Sequence, residues 1–180
     1  MDVLPIGLKD ALLLTPKVFG DQRGFFMETY QQERYKDAGI EMRFVQDNIS
    51  KSSYGTLRGL HFQAPPYDQG KLVFVLEGTV LDVIVDIRKK SLTFGQSFQV
   101  ELSAENKKQL WVPPGFAHGF VVLSQSAIFA YKCTNFYNQR AEGGVLWSDK
   151  FLNIDWQVKQ PILSEKDKKL SLWHDFQSPF

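Results

Sequence analysis

The sequence predicts an all-β fold with short peripheral helices. Three observations carry this expectation. Short β-branched and aromatic runs follow one another through the middle of the chain. Turn signals break them about every 8–12 residues, the spacing of a sandwich or barrel rather than of alternating strands and helices. Only one segment carries a persuasive helical pattern.

That segment is Thr29–Ala38, TYQQERYKDA, with Gly39 placed to cap its C-terminus. Leu72–Leu76 reads as a strand, Glu77–Gly78 as a turn and Val80–Ile87 as a second strand. Arg88–Ser91 is a charged turn, Gly95–Ser103 an alternating strand and Ala104–Lys108 a polar break. QLWV follows and stops at Pro113–Pro114–Gly115. HGFVVLS (118–124) and AIFAYKCT (127–134) predict two further strands, parted by Gln125–Ser126. Ser164 stands where an N-cap would open a second short helix over Ser164–Lys169. No repeat or linker interrupts the chain, and 180 residues suit one domain over 1–180.

Composition narrows the function classes. Apolar residues make up 43% and charged residues 23%, which argues against disorder. The net charge is +1 with no basic run, so nucleic acid is not an expected partner. No apolar stretch has the roughly 18 residues of a membrane helix. The first residues lack the basic start of a secretory signal, and Cys133 is the single cysteine, which together point to the cytoplasm.

The histidines are His61, His118 and His174. The first two each stand where a strand is expected to begin, so both could point into one barrel cavity. A metal site of the H-x-H kind is not expected, because Gln63 stands where the second histidine would be. The remaining set, His61, Glu77 and His118, is a weaker ligand group. Acid–base chemistry explains a pocket histidine better. An imidazole titrates near 6.5, and a carboxylate that fixes its tautomer makes it a better base. A developing oxyanion needs a cation, for which Lys71 is available, and reprotonation needs a donor such as Tyr131. Arg23 and Arg58 suit a phosphate, and Gln46–Asp47–Asn48 suit sugar hydroxyls or base edges. Plainer readings stand beside these: QDN as a turn, Tyr131 as core, Lys71 as a solvated strand end, the arginines as surface ion pairs.

In their order, these pieces resemble the dTDP-4-dehydrorhamnose 3,5-epimerase family, a metal-free branch of the cupin-like jelly-roll β-barrels. The resemblance rests on FGDQRGFFMETY (19–30), FVQDNISKSSYGTLRGLHFQ (44–63), GKLVFVLEGTVLDVIVDIRKKSLTFG (70–95), WVPPGFAHGF (111–120), YKCTNFY (131–137), IDW (154–156) and PILSEKD (161–167). It implies that His61 is the general base, Asp167 its orienting partner, Tyr131 the proton donor and Lys71 the enolate stabiliser. It further implies substrate contacts at Arg23, Phe25, Glu28, Gln46, Asp47, Asn48, Arg58, His118, Tyr137, Glu142 and Lys166. No cofactor is implied. The expected partners are a dTDP-linked 4-keto-6-deoxy sugar and a second copy of the chain exchanging N-terminal strands. Close relatives of such an enzyme epimerise one centre only or take other nucleotide-linked keto sugars. A sugar-nucleotide-binding barrel without catalysis is the rival of a different class.

Overall fold

The computed structural model describes residues 1–180. Its strands are β1 (Asp2–Pro5), β2 (Leu12–Thr15), β3 (Val18–Asp21), β4 (Gly24–Met27), β5 (Gln46–Ser53), β6 (Leu57–Gln63) and β7 (Lys71–Glu77). They continue with β8 (Thr79–Asp86), β9 (Ser97–Ser103), β10 (Gln109–Val112), β11 (Phe116–Val122), β12 (Ser126–Cys133) and β13 (Glu142–Gly144). Helix α1 spans Gln32–Asp37, and 3₁₀ turns lie at Gln139–Ala141 and Asp167–Lys169.

One sheet has the order β1-β2-β10-β7-β12-β5 and the other β13-β6-β11-β8-β9, with every named pairing antiparallel. They face each other as the expected jelly roll. Val73, Val75 and Phe129 from the first sheet meet Val80, Ile84 and Phe120 from the second in a buried core. The β3–β4 hairpin stands apart and pairs only with itself.

Both sheets are also covered on their outer faces. Helix α1 and the segment after it lay Tyr35 and Ile40 over Leu14, Leu72 and Trp111. Leu152, Trp156 and the tail residues Phe176 and Phe180 lie over Leu60, Phe62, Val83 and Val85. This double coverage explains why β8, TVLDVIVD, reads as a continuous apolar run instead of an alternating one. Each such valine or leucine withdrawn from water contributes about 1.5–3 kcal/mol. The tail is pinned by Ser178, whose hydroxyl donates to the Ile87 carbonyl, and by Trp173 stacked on Phe151 at 5.6 Å.

Several elements differ from expectation for local reasons. Helix α1 is shorter at its start, because Gln31 is extended (φ −148°) and its side chain caps Arg34 N–H at 2.7 Å. Gly39 follows the helix with φ +95°, as its capping role requires. The second helix is only the turn at Asp167–Lys169, and Ser164 Oγ accepts from Asp167 N–H at 3.1 Å. His61 and His118 sit within β6 and β11 rather than at their starts. QDN opens strand β5 instead of turning. No helix is long and apolar enough to cross a membrane.

Candidate active site

Strand alternation places the site. On β7, β11 and β12, Lys71, His118 and Tyr131 share the inward face with the core residues Val73, Phe120 and Phe129. On β5 the same rule turns Gln46, Asn48 and Ser50 inward. Strand β6 needs a further device, because Arg58 and His61 are three residues apart and would face opposite ways. Its register against β11 shifts between the pairs Phe120↔Arg58 and His118↔His61, so one extra residue restores both to the inner face. The extra residue fits because Gly59, at φ +132°, runs against Gly119. A Cβ on Gly59 would lie 2.5 Å from Gly119 Cα.

These side chains line a cavity of about 410 Å³, a size that suits a small ligand. Arg58, His61, Lys71, His118, Tyr131, Lys166 and Asp167 all reach it. A smaller recess of about 120 Å³ shares His61, Lys71 and Tyr131 and adds Gln46, Asn48, Tyr137 and Glu142.

His61 Nε2 lies 2.5 Å from Asp167 Oδ1. A carboxylate only accepts, so the contact puts the ring proton on Nε2 and leaves Nδ1 as the basic nitrogen. Burial pushes the Asp167 carboxyl up, but the His61 hydrogen bond and charge, with Ser164 and Lys166, hold it below its ordinary value. It therefore stays ionised beside the imidazole. Burial pushes the Lys71 ammonium down, against the opposing charges of Cys133, Asp82 and Glu142. The Tyr131 phenol is pushed up, chiefly by burial. The cavity thus combines a carboxylate-backed imidazole, a desolvated ammonium and a phenol that keeps its proton.

Four of the expected contacts are not brought to this cavity within the chain. Asp47 points to the opposite face of β5 and pairs with Lys132 at 2.7 Å. Arg23 and Phe25 lie on the β3–β4 hairpin, where Arg23 pairs with Asp21. Glu28, just beyond it, pairs with Arg34 at 2.6 Å. Nor does the alternative ligand set assemble. Glu77 accepts from Ser126 Oγ at 3.1 Å, and no three His, Cys, Asp or Glu side chains are grouped to hold a metal. Gln63 instead ties down loops, donating to the carbonyls of Tyr67 and Phe136 and accepting from Asn138 N–H.

The structure also brings in residues that sequence reasoning missed. Ser52 Oγ accepts from Arg58 Nε and Nη2, each at 3.2 Å, and so aims the guanidinium. Asp82 is fully buried and meets His118 Nε2 with both oxygens at 3.0 Å. A lone carboxylate inside the apolar run of β8 was the available signal for Asp82. Nothing local distinguishes Ser52.

A family model described as dTDP-4-dehydrorhamnose 3,5-epimerase matches residues 5–175. The dTDP-4-dehydrorhamnose 3,5-epimerase of Shigella flexneri is 58% identical over 168 residues, covering 93% of each chain. The crystal structure of that enzyme from Elizabethkingia anophelis superposes with a TM-score of 0.93 at 52% identity and 97% coverage of both chains. A Legionella pneumophila dTDP-6-deoxy-D-glucose-3,5-epimerase, solved with dTDP-4-keto-L-rhamnose, gives 0.92 at 50% identity, covering 95% of this chain and 92% of that one.

Proposed function

Because the chain belongs to the dTDP-4-dehydrorhamnose 3,5-epimerase family, we propose that its cavity converts dTDP-4-dehydro-6-deoxy-D-glucose into dTDP-4-dehydro-L-rhamnose without a cofactor. The observation that carries this reading is the His61–Asp167 contact of 2.5 Å, opening on a cavity that Lys71 and Tyr131 also line. In this scheme His61 Nδ1 takes the proton from a carbon next to the C4 ketone. The electron pair moves to the C4 oxygen, where the Lys71 ammonium stabilises the enolate. Tyr131 O–H returns a proton to the opposite face, and the cycle repeats at the second carbon. At each centre one C–H bond breaks and one forms, so the reaction is redox-neutral and needs no electron carrier.

Arg58 and His118 take the diphosphate and sugar, with Gln46, Asn48, Tyr137, Glu142 and Lys166 as further contacts. Arg23, Phe25 and Glu28 serve the cavity of a second copy, in a homodimer that exchanges N-terminal strands. What supports this is the hairpin itself, which leaves Phe19, Phe25 and Phe26 54–68% exposed. Apolar surface of this kind calls for a cover. The product would feed nucleotide-sugar supply for surface polysaccharide.

The test couples the purified protein to a cognate 4-ketoreductase. Cofactor oxidation with formation of dTDP-L-rhamnose is expected. Binding of dTDP with no turnover would overturn the reading in favour of a binding barrel.

A further inference from the structure

Asp82 has no part in the scheme above, although it is fully buried beside the cavity. Alternation on β8 puts it on the inward face with Val80 and Ile84, both core residues. A carboxylate in such surroundings must be compensated. Its partner is His118, whose Nε2 lies 3.0 Å from both Asp82 oxygens. The His118 ring is further fixed by stacking on Phe129, with centroids 6.1 Å apart. No buried polar side-chain atom of the protein lacks a hydrogen-bond partner. The other ring nitrogen, Nδ1, has none within the chain and is therefore open to the cavity that His118 lines.

Lys71 also feels the Asp82 charge. Facing it are Cys133 and Tyr131 from β12, Asp82 from β8, His61 from β6, His118 from β11 and Glu142 from β13. Both carboxylates in this set are committed elsewhere. Asp82 is held by His118, and Glu142 pairs with Lys166 and accepts from Tyr137 O–H. Lys71 is thus left without an ion pair, and its Nζ stays available to a substrate oxygen. The carboxylate charges still act on it, because electrostatic interaction is weakly attenuated in a water-poor interior.

We propose that Asp82 is a positioning residue for the epimerisation: it grips His118 by Nε2, presenting Nδ1 to the substrate, and lends Lys71 negative charge without capping its Nζ. The inference rests on reading the cavity as an epimerase site. A carboxylate in direct contact with Lys71 would keep the ammonium charged equally well, but would occupy the donors that the enolate needs. Support also comes from the opposition at Lys71, where burial lowers its proton affinity and Cys133, Asp82 and Glu142 raise it.

The test is Asp82→Asn, which keeps an acceptor for His118 and removes the charge. Rates are measured against pH, with folding checked by thermal melting and dTDP binding. The alkaline limb of kcat should move to lower pH, and kcat should fall about tenfold while KM changes little. His118→Asn is the second variant. It releases the Asp82 carboxylate towards Lys71, so the alkaline limb should move to higher pH as kcat falls. In a Lys71→Arg background, Asp82→Asn should shift no limb. An unmoved limb in folded Asp82→Asn overturns the proposal whatever happens to kcat, since mere loosening lowers the rate alone. If Asp82→Asn does not fold, an unmoved limb in His118→Asn overturns it. Absence of turnover in the unsubstituted protein would instead defeat the underlying epimerase reading.

Discussion

Arg58 and His61 stand three residues apart on one strand and point into the same cavity, because β6 carries one extra residue against β11 between them. Residues so spaced on a regular strand face opposite sides. The bulge therefore sets where the His61 imidazole stands relative to the guanidinium, and the Gly59–Gly119 crossing permits it.

Gly119→Ala should disturb this arrangement. Its Cβ would fall 2.7 Å from the Arg58 carbonyl oxygen and 3.0 Å from Gly59 Cα, so backbone must move. The expected cost is about 1–3 kcal/mol, read as a lower melting temperature, with a fall in kcat of about tenfold or more. An unchanged melting temperature and rate would show that the crossing has slack.

Asp167→Asn should lower kcat by about 10²–10⁴-fold with a small change in KM, because the amide can no longer fix the His61 tautomer by accepting alone. The same residue predicts a pH dependence of stability. Its carboxyl titrates below 3.8 in the folded chain, so its contribution is fully present above that value. It is lost as pH falls through the lower native value. Denaturant unfolding should therefore show a stability gap between the two proteins at pH 7 that narrows below pH 3.8.

The alkaline limb of the rate profile should belong to Lys71. Burial moves its ammonium down from 10.5 towards neutral pH and moves the Tyr131 phenol up from 10.0, away from it. Lys71→Arg should carry the limb to higher pH. Tyr131→Phe should lower the rate and leave the limb in place. A limb that vanishes with Tyr131→Phe would reverse the two assignments.

Much of this was legible in the sequence, and the remainder has identifiable physical reasons. The strands from β7 to β12 were readable because Val80–Ile87 and its neighbours are dense in β-branched residues and stop at turn residues. Strands β1 to β4 carried no expectation, since each has only four residues and β1 and β3 are exposed throughout. Strand β5 opens on QDN, and amides that favour turns in isolation are here held by pairing with β12. The residues of the site were named from their motifs, but spacing does not show that His61 and Asp167 meet across 106 residues. It shows even less that Asp47 turns away, which follows only once β5 is known to be a strand.

Subunit exchange is testable by complementation. In a mixture of His61→Asn and Arg23→Ala chains, a heterodimer would contain one site with both defects and one with neither. Mixing the two variants should then add about a quarter of the normal activity to what each retains alone, if Arg23 serves the partner's cavity. No recovery, with dimers present by sedimentation, would place Arg23 outside the partner's site.

The most direct test of the account is proton NMR of dTDP-4-dehydro-6-deoxy-D-glucose with the protein in deuterium oxide. Both the C3 and the C5 proton signals should be lost with the unsubstituted chain, and both retained with His61→Asn. Exchange that persists in His61→Asn, or that reaches only one carbon in the unsubstituted chain, would contradict it.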